Sequence, residues 1–155
     1  MVRVHCERSV AAPAAAVWAI VSDIDSEPVH WKGTRSVRNI SRSGNVTERE
    51  VTLAFRDKVC GQRVTLEPSS EVRAEFTSGI ITGTKVVRVR PDGESRSVVE
   101  ATWDIGMRGM MSVVAPMLSS HVRSGTEQAL ESIGVAAESQ CASVRTPQPT
   151  GSSRR

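Results

Sequence analysis

The chain has no tyrosine, only two phenylalanines and three tryptophans, and only three cysteines among its 155 residues. So few rings exclude an aromatic interior. The core must be built from Val, Ile, Leu, Ala and Met, and a backbone enclosing a large volume would keep part of it empty. Cys6, Cys60 and Cys141 lie far apart with no Cys-x-x-Cys spacing, which excludes a disulfide framework and fits a reducing compartment. His5, His30 and His121 are equally scattered, so the spacing offers no metal site. No Gly-x-Ser-x-Gly elbow, phosphate loop or dinucleotide fingerprint occurs, and no cofactor is expected. No apolar run approaches the roughly 20 residues that span a bilayer. Val10 to Val21 is apolar enough for a signal-peptide core, but Glu7 interrupts its basic flank and no small-x-small cleavage site follows; a cytoplasmic location is expected.

What is present is an ordinary folding composition, 39% hydrophobic and 24% charged, at a length that suits one domain. The formal net charge is +3, but the basic residues alternate with acids, as in Glu48-Arg49-Glu50 and Glu71-Val72-Arg73-Ala74-Glu75. That mixture predicts solvated strand faces, so no nucleic-acid partner is expected.

Val2, Val4 and Cys6, extending to Ser9-Val10, alternate as a strand does. Pro13 then suits a first helical turn, and Val17, Ile20, Val21 and Ile24 recur at helical spacing. Asp23, Asp25 and Ser26 before Pro28 predict a stop and a second short helix through His30-Trp31. After Gly33 the period becomes two. Strands are predicted over 34–42, 46–55, 58–67, 71–78, 80–90 and 96–107, each with one apolar and one charged face. The glycines of Gly79-Ile80-Ile81-Thr82-Gly83 are read as points where the sheet bends. From Met110, the residues Val114, Leu118, Val122, Gly125, Ala129 and Ile133 form a helical stripe, with Pro116 tolerated in the first turn. The domain is expected to span residues 1–135, and the Ser-, Pro- and Arg-containing tail 136–155 to be disordered.

A strand, two short helices, a six-strand meander and a long final helix form an α+β order. It resembles the helix-grip fold of the START-like (SRPBCC) superfamily, a curved antiparallel sheet of about seven strands wrapped around a long C-terminal helix. Ser9-Val10-Ala11-Ala12-Pro13, Val17-Trp18, Ser22-Asp23-Ile24-Asp25 and Trp31-Lys32-Gly33-Thr34-Arg35-Ser36-Val37 are similar to the opening of its polyketide cyclase/dehydrase-like branch. The resemblance covers roughly residues 2–135 and implies a cavity between sheet and helix that takes an apolar small molecule or lipid. It implies no catalytic signature. Three readings follow: a carrier, a cyclase or dehydratase using a pocket acid or base, and an assembly factor.

Strand parity nominates the inward residues Arg49, Val51, Leu53 and Phe55, then Gln62 and Val64, then Ala74 and Phe76, then Trp103 and Ile105. Arg49 and Gln62 are polar groups in an apolar wall, able to orient a ligand if buried or to reach water if near strand ends. Trp31 is either the mouth of the pocket or a packing anchor. His121, with Met117 on the same side of the helix, is either a cavity-edge acid or base or a satisfied partial-core residue. Met107, Met110, Met111 and Met117 are the adaptable residues that could fill the space instead.

Overall fold

The computed structural model describes residues 1–109 and 115–145. Strand β1 (Val2–Val10) is followed by helix α1 (Ala14–Val21), a single 3-10 turn at Ile24–Ser26 and helix α2 (Glu27–His30). Six strands follow: β2 (Thr34–Ser43), β3 (Val46–Leu53), β4 (Val59–Glu67), β5 (Glu71–Ser78), β6 (Ile81–Pro91) and β7 (Ser97–Met107). Helix α3 (Ala115–Arg145) ends the described chain. All seven strands form one antiparallel sheet in the order β1-β7-β6-β5-β4-β3-β2. This is the helix-grip architecture that the order of elements predicted.

The alternation that predicted the strands sets their faces. In β3, Thr47, Arg49, Val51 and Leu53 are buried and the residues between them are not. Cross-strand neighbours carry this inner face across the sheet: Val51 opposite Cys60, Arg49 opposite Gln62, Gln62 opposite Phe76, Val64 opposite Ala74, Ala74 opposite Lys85, and Lys85 opposite Trp103. Gly83 sits between Phe76 and Ile105 at φ +104°, where a Cβ would run into the Asp104 carbonyl oxygen, so only glycine allows the chain to bend there. The edge strand β2 exposes most of its side chains and carries Arg35, Arg38 and Arg42, which discourages pairing with another chain.

Helix α3 packs on β1, β7, α1 and α2. Ala129, Leu130, Ile133 and Ala137 interlock with Val4, Val10, Val17, Val99 and Ala101 in the main core. The helix therefore lies over the β1 side of the sheet, and its N-terminal half stands over the β3–β5 side. None of the described helices is long and apolar enough to cross a membrane.

The disorder expected from residue 136 is corrected over ten residues, because α3 continues to Arg145. Ala137 is fully buried, and Glu138 accepts a hydrogen bond from the Ala11 amide at 2.9 Å and one from Arg8 at 3.2 Å. A polar segment that looked unable to bury anything is held by one alanine and one carboxylate. Residues 146–155, the predicted helix start at Met110, Val114, and the gap-filling Met110 and Met111 lie outside the described residues. The first helix is shorter than expected, since Ser22 ends it and Ile24 enters the 3-10 turn.

Candidate functional site

Between the inner face of the sheet, α2 and the first half of α3 lies a cavity of about 550 Å³. Its apolar walls include Trp31, Leu53, Phe76, Ile81, Trp103, Ile105, Leu118 and Val122. Three rings form one side: Trp31 meets Trp103 edge to face at 6.0 Å between centroids, and Phe76 stacks on Trp103 at 6.5 Å. Exposed Lys32, Phe55, Arg56, His121 and Gln128 also line the space and mark its mouth. The volume falls within the range of sites that enclose a small molecule.

Gly125 explains part of the emptiness. It faces the cavity from α3, and a Cβ built on it would meet no atom within 4 Å. The scarcity of large side chains thus acts locally: the helix presents no side chain there.

One buried polar cluster adjoins the cavity. Arg49 is 2% exposed and donates through Nε to Gln62 Oε1 at 3.0 Å and through Nη1 to the Ile24 carbonyl at 2.9 Å. Its Nη2 lies 3.2 Å from Glu27 Oε1. Lys85, 4% exposed, donates to that same oxygen at 2.7 Å. The Lys85 ammonium also lies 3.9 Å from the centre of the Trp31 ring and 5.2 Å from that of Trp103. Burial alone would raise the Glu27 pKa, but Lys85 and Arg49 outweigh it and hold the carboxyl below the usual range, so Glu27 is a carboxylate. Burial pulls the Lys85 pKa down against the opposing attraction of Glu27. A second, small void of about 30 Å³ lies behind this cluster, bordered by Ile24, Glu27, Arg49, Val72 and Ala74.

The predicted site residues divide into those that line the cavity and those that do not. Trp31, Leu53, Phe55, Gln62, Phe76, Trp103, Ile105 and His121 line it. Trp31 is both a wall and an anchor, being buried in the main core as well. Phe55 does so from the turn after β3, half exposed, rather than from within a strand. Arg49 points inward as its parity requires, but its guanidinium is turned into the cluster and borders only the small void. Val51 and Val64 are buried in packed clusters, and Ala74 borders the small void, so none of these three forms the larger cavity's wall. Met117 is corrected outright: it is 73% exposed, because one helical step of about 100° separates it from the inward Leu118. His121, four residues on, shares that outer side and stays exposed at the mouth.

Two residues escaped sequence reasoning. Lys85 has the parity of the buried Val87 and Val89, so alternation would have found it. Glu27 lies in a four-residue helix with no periodicity to reveal which way it faces. On the outer face of β1 and β7, His5, Glu7 and Glu100 bring ligand atoms within 4.8 Å of one another, a grouping invisible to spacing; His5 and Glu7 are exposed, Glu100 is partly buried, and His5 bonds Thr102 at 2.8 Å.

Comparison with known proteins places these features in context. The family model described as "Polyketide cyclase / dehydrase and lipid transport" matches residues 1–138. No curated protein matches the chain. Among solved structures, the Zhui aromatase/cyclase from Streptomyces sp. R1128 is similar at a TM-score of 0.82 and 17% identity, covering 94% of this chain and 98% of that one. A START superfamily protein from Mycobacterium smegmatis is similar at a TM-score of 0.65 and 18% identity, covering 92% and 98%. A protein from Thermus thermophilus is similar at a TM-score of 0.71 and 15% identity, covering 89% and 98%. At such identities the likeness is one of fold.

Proposed function

The chain belongs to the polyketide cyclase / dehydrase and lipid transport family, and from that premise we propose that it binds a largely apolar small molecule, flat enough to lie along three rings, in the cavity beneath α3. Membership supports a ligand-binding or cyclase-type role, and the site's geometry favours binding. The observation that carries this is the 550 Å³ space walled by Trp31, Phe76, Trp103, Leu53, Ile105 and Val122. Leaving such a space unfilled gives up packing that would stabilise the fold, and function is the simplest reason to keep it.

Catalysis of the cyclase type requires two polar groups converging on one reacting atom. Arg49 and Gln62 are bonded to each other, Lys85 is bonded to Glu27, and His121 sits at the mouth. That arrangement suits holding and orienting a ligand better than moving protons on it.

The test uses N-phenyl-1-naphthylamine, a neutral naphthalene dye that fluoresces when it leaves water. It should bind the native protein at one site with micromolar affinity and be displaced by flat polycyclic compounds or fatty acids. A native protein that gives no saturable signal with this dye or any of these competitors would overturn the binding reading.

A further inference from the structure

The polar complement of the cavity wall formed by β4 to β7 is one-sided. Arg49 can only donate, so the Gln62 atom facing it must be the amide oxygen, and the Gln62 NH2 is left as a donor on a residue that lines the cavity. Trp103 carries a buried Nε1–H that has no acceptor among the described residues. Lys85, its register partner across β6 and β7, has three N–H donors and one hydrogen-bonded carboxylate, its other close neighbours being ring faces. Three neighbouring residues of this wall therefore have unused donor capacity. The unpartnered acceptor nearby, Glu27 Oε2, belongs to a residue that borders the small void and not the larger cavity.

The charges are also unequal. Arg49 and Lys85 share the single carboxylate of Glu27, the only acid within ion-pair distance of either among the described residues, so two bases face one acid in a buried site. A buried charge without a counterion is costly, and apolar walls strengthen whatever opposite charge is brought to it.

We propose that the cavity selects a ring system bearing an anionic oxygen, a carboxylate or a phenolate, seated against Lys85, Trp103 and Gln62. This rests on the reading of the cavity as a binding site. Arg49 takes no direct part; it holds Glu27 and Gln62 in place and adds to the positive field.

The experiment uses the full chain with N-phenyl-1-naphthylamine as reporter and 2-naphthoate, 2-naphthamide and 2-naphthol as competitors. The naphthoate should displace the dye at a concentration at least about tenfold below the isosteric, neutral naphthamide, as a charge-assisted contact implies. In Lys85→Met that ratio should fall to within about threefold. Bound 2-naphthol showing the red-shifted absorption of naphtholate at neutral pH would assign the site to phenolates, and its remaining un-ionised while naphthoate is preferred would assign it to carboxylates. Equal competition by naphthoate and naphthamide in the wild type, with bound 2-naphthol un-ionised, would overturn the proposal while leaving the cavity reading intact. So would a preference that survives Lys85→Met, which would transfer the selectivity to Lys32 and Arg56 at the mouth. Absence of dye binding defeats the cavity reading itself. Should Lys85→Met fail to fold, Trp103→Phe, which removes one donor and no charge, should cut the naphthoate preference by about threefold or more; no change there would count against the proposal.

Discussion

Two glycines in one helix should respond to the same substitution in opposite ways, and the difference isolates the cavity from the helix that roofs it. Gly125 and Gly134 both lie within α3, where glycine is about 0.8–1.0 kcal/mol worse than alanine. At Gly125 a new Cβ meets nothing within 4 Å, so Gly125→Ala should recover that difference in full and raise the melting midpoint by about 2–4 °C. At Gly134 the Cβ would occupy the position of the Arg8 guanidinium. Arg8 shares the inward parity of Val4, Cys6 and Val10 on β1, and there it donates to Glu131 at 2.8 Å and Glu138 at 3.2 Å. Displacing it forfeits two partly exposed ion pairs, each worth up to about 1 kcal/mol, which cancels or exceeds the helix gain. Gly134→Ala should thus be neutral to about 1 kcal/mol destabilising, and at least ~1 kcal/mol less stable than Gly125→Ala. Gly125→Phe takes the argument to function: the benzyl group would enter empty space, so the protein should melt at or above the wild-type midpoint while affinity for N-phenyl-1-naphthylamine drops by about tenfold or more. Thermal melts and dye titrations of the three variants decide the matter. A Gly125→Phe protein that melts well below wild type, in the way an overpacked core does, would refute the hollow-cavity geometry.

The buried cluster makes a second prediction. Removing its one anion, by Glu27→Gln, leaves Arg49 and Lys85 facing each other's field and should cost about 3–5 kcal/mol, lowering the midpoint by at least about 6 °C; Lys85→Met in that background should recover part of the loss. A third concerns acid. The Ala11 amide first, and the Arg8 side chain second, hold the Glu138 carboxyl below the usual glutamate range. Its contribution is therefore complete above the unfolded-state value and disappears as pH falls through the lower folded value. The stability gap between wild type and Glu138→Gln, measured by urea unfolding, should be constant above about pH 5 and shrink below about pH 4; a gap independent of pH would show that Glu138 is not held as described.

The fold was legible along the chain because its strands alternate cleanly and its final helix repeats every three or four residues, and both periods are local properties that each segment carries by itself. Parity correctly turned Leu53, Gln62, Phe76, Trp103 and Ile105 toward the interior, and would have done the same for Lys85. Periodicity states only which side a residue faces, not what lies opposite. Val51, Val64 and Ala74 face inward as surely as Phe76, yet they meet packed neighbours or a 30 Å³ void, because where the helix crosses the sheet decides which inward residues are covered. Met117 and Leu118 are adjacent in sequence and opposite in fate for the same reason. Nor does any local pattern announce the meeting of Glu27 with Arg49 and Lys85, or of Glu138 with Arg8 and Ala11: those partners come from elements distant in the chain. Composition and period determined that this chain would form a curved sheet with a long helix and too few large side chains to fill it. The position of the empty space arose only when the helix settled against β1 and stood off the β3–β5 half of the sheet, and the sharing of one carboxylate by two bases arose only when α2 brought Glu27 to Arg49 and Lys85.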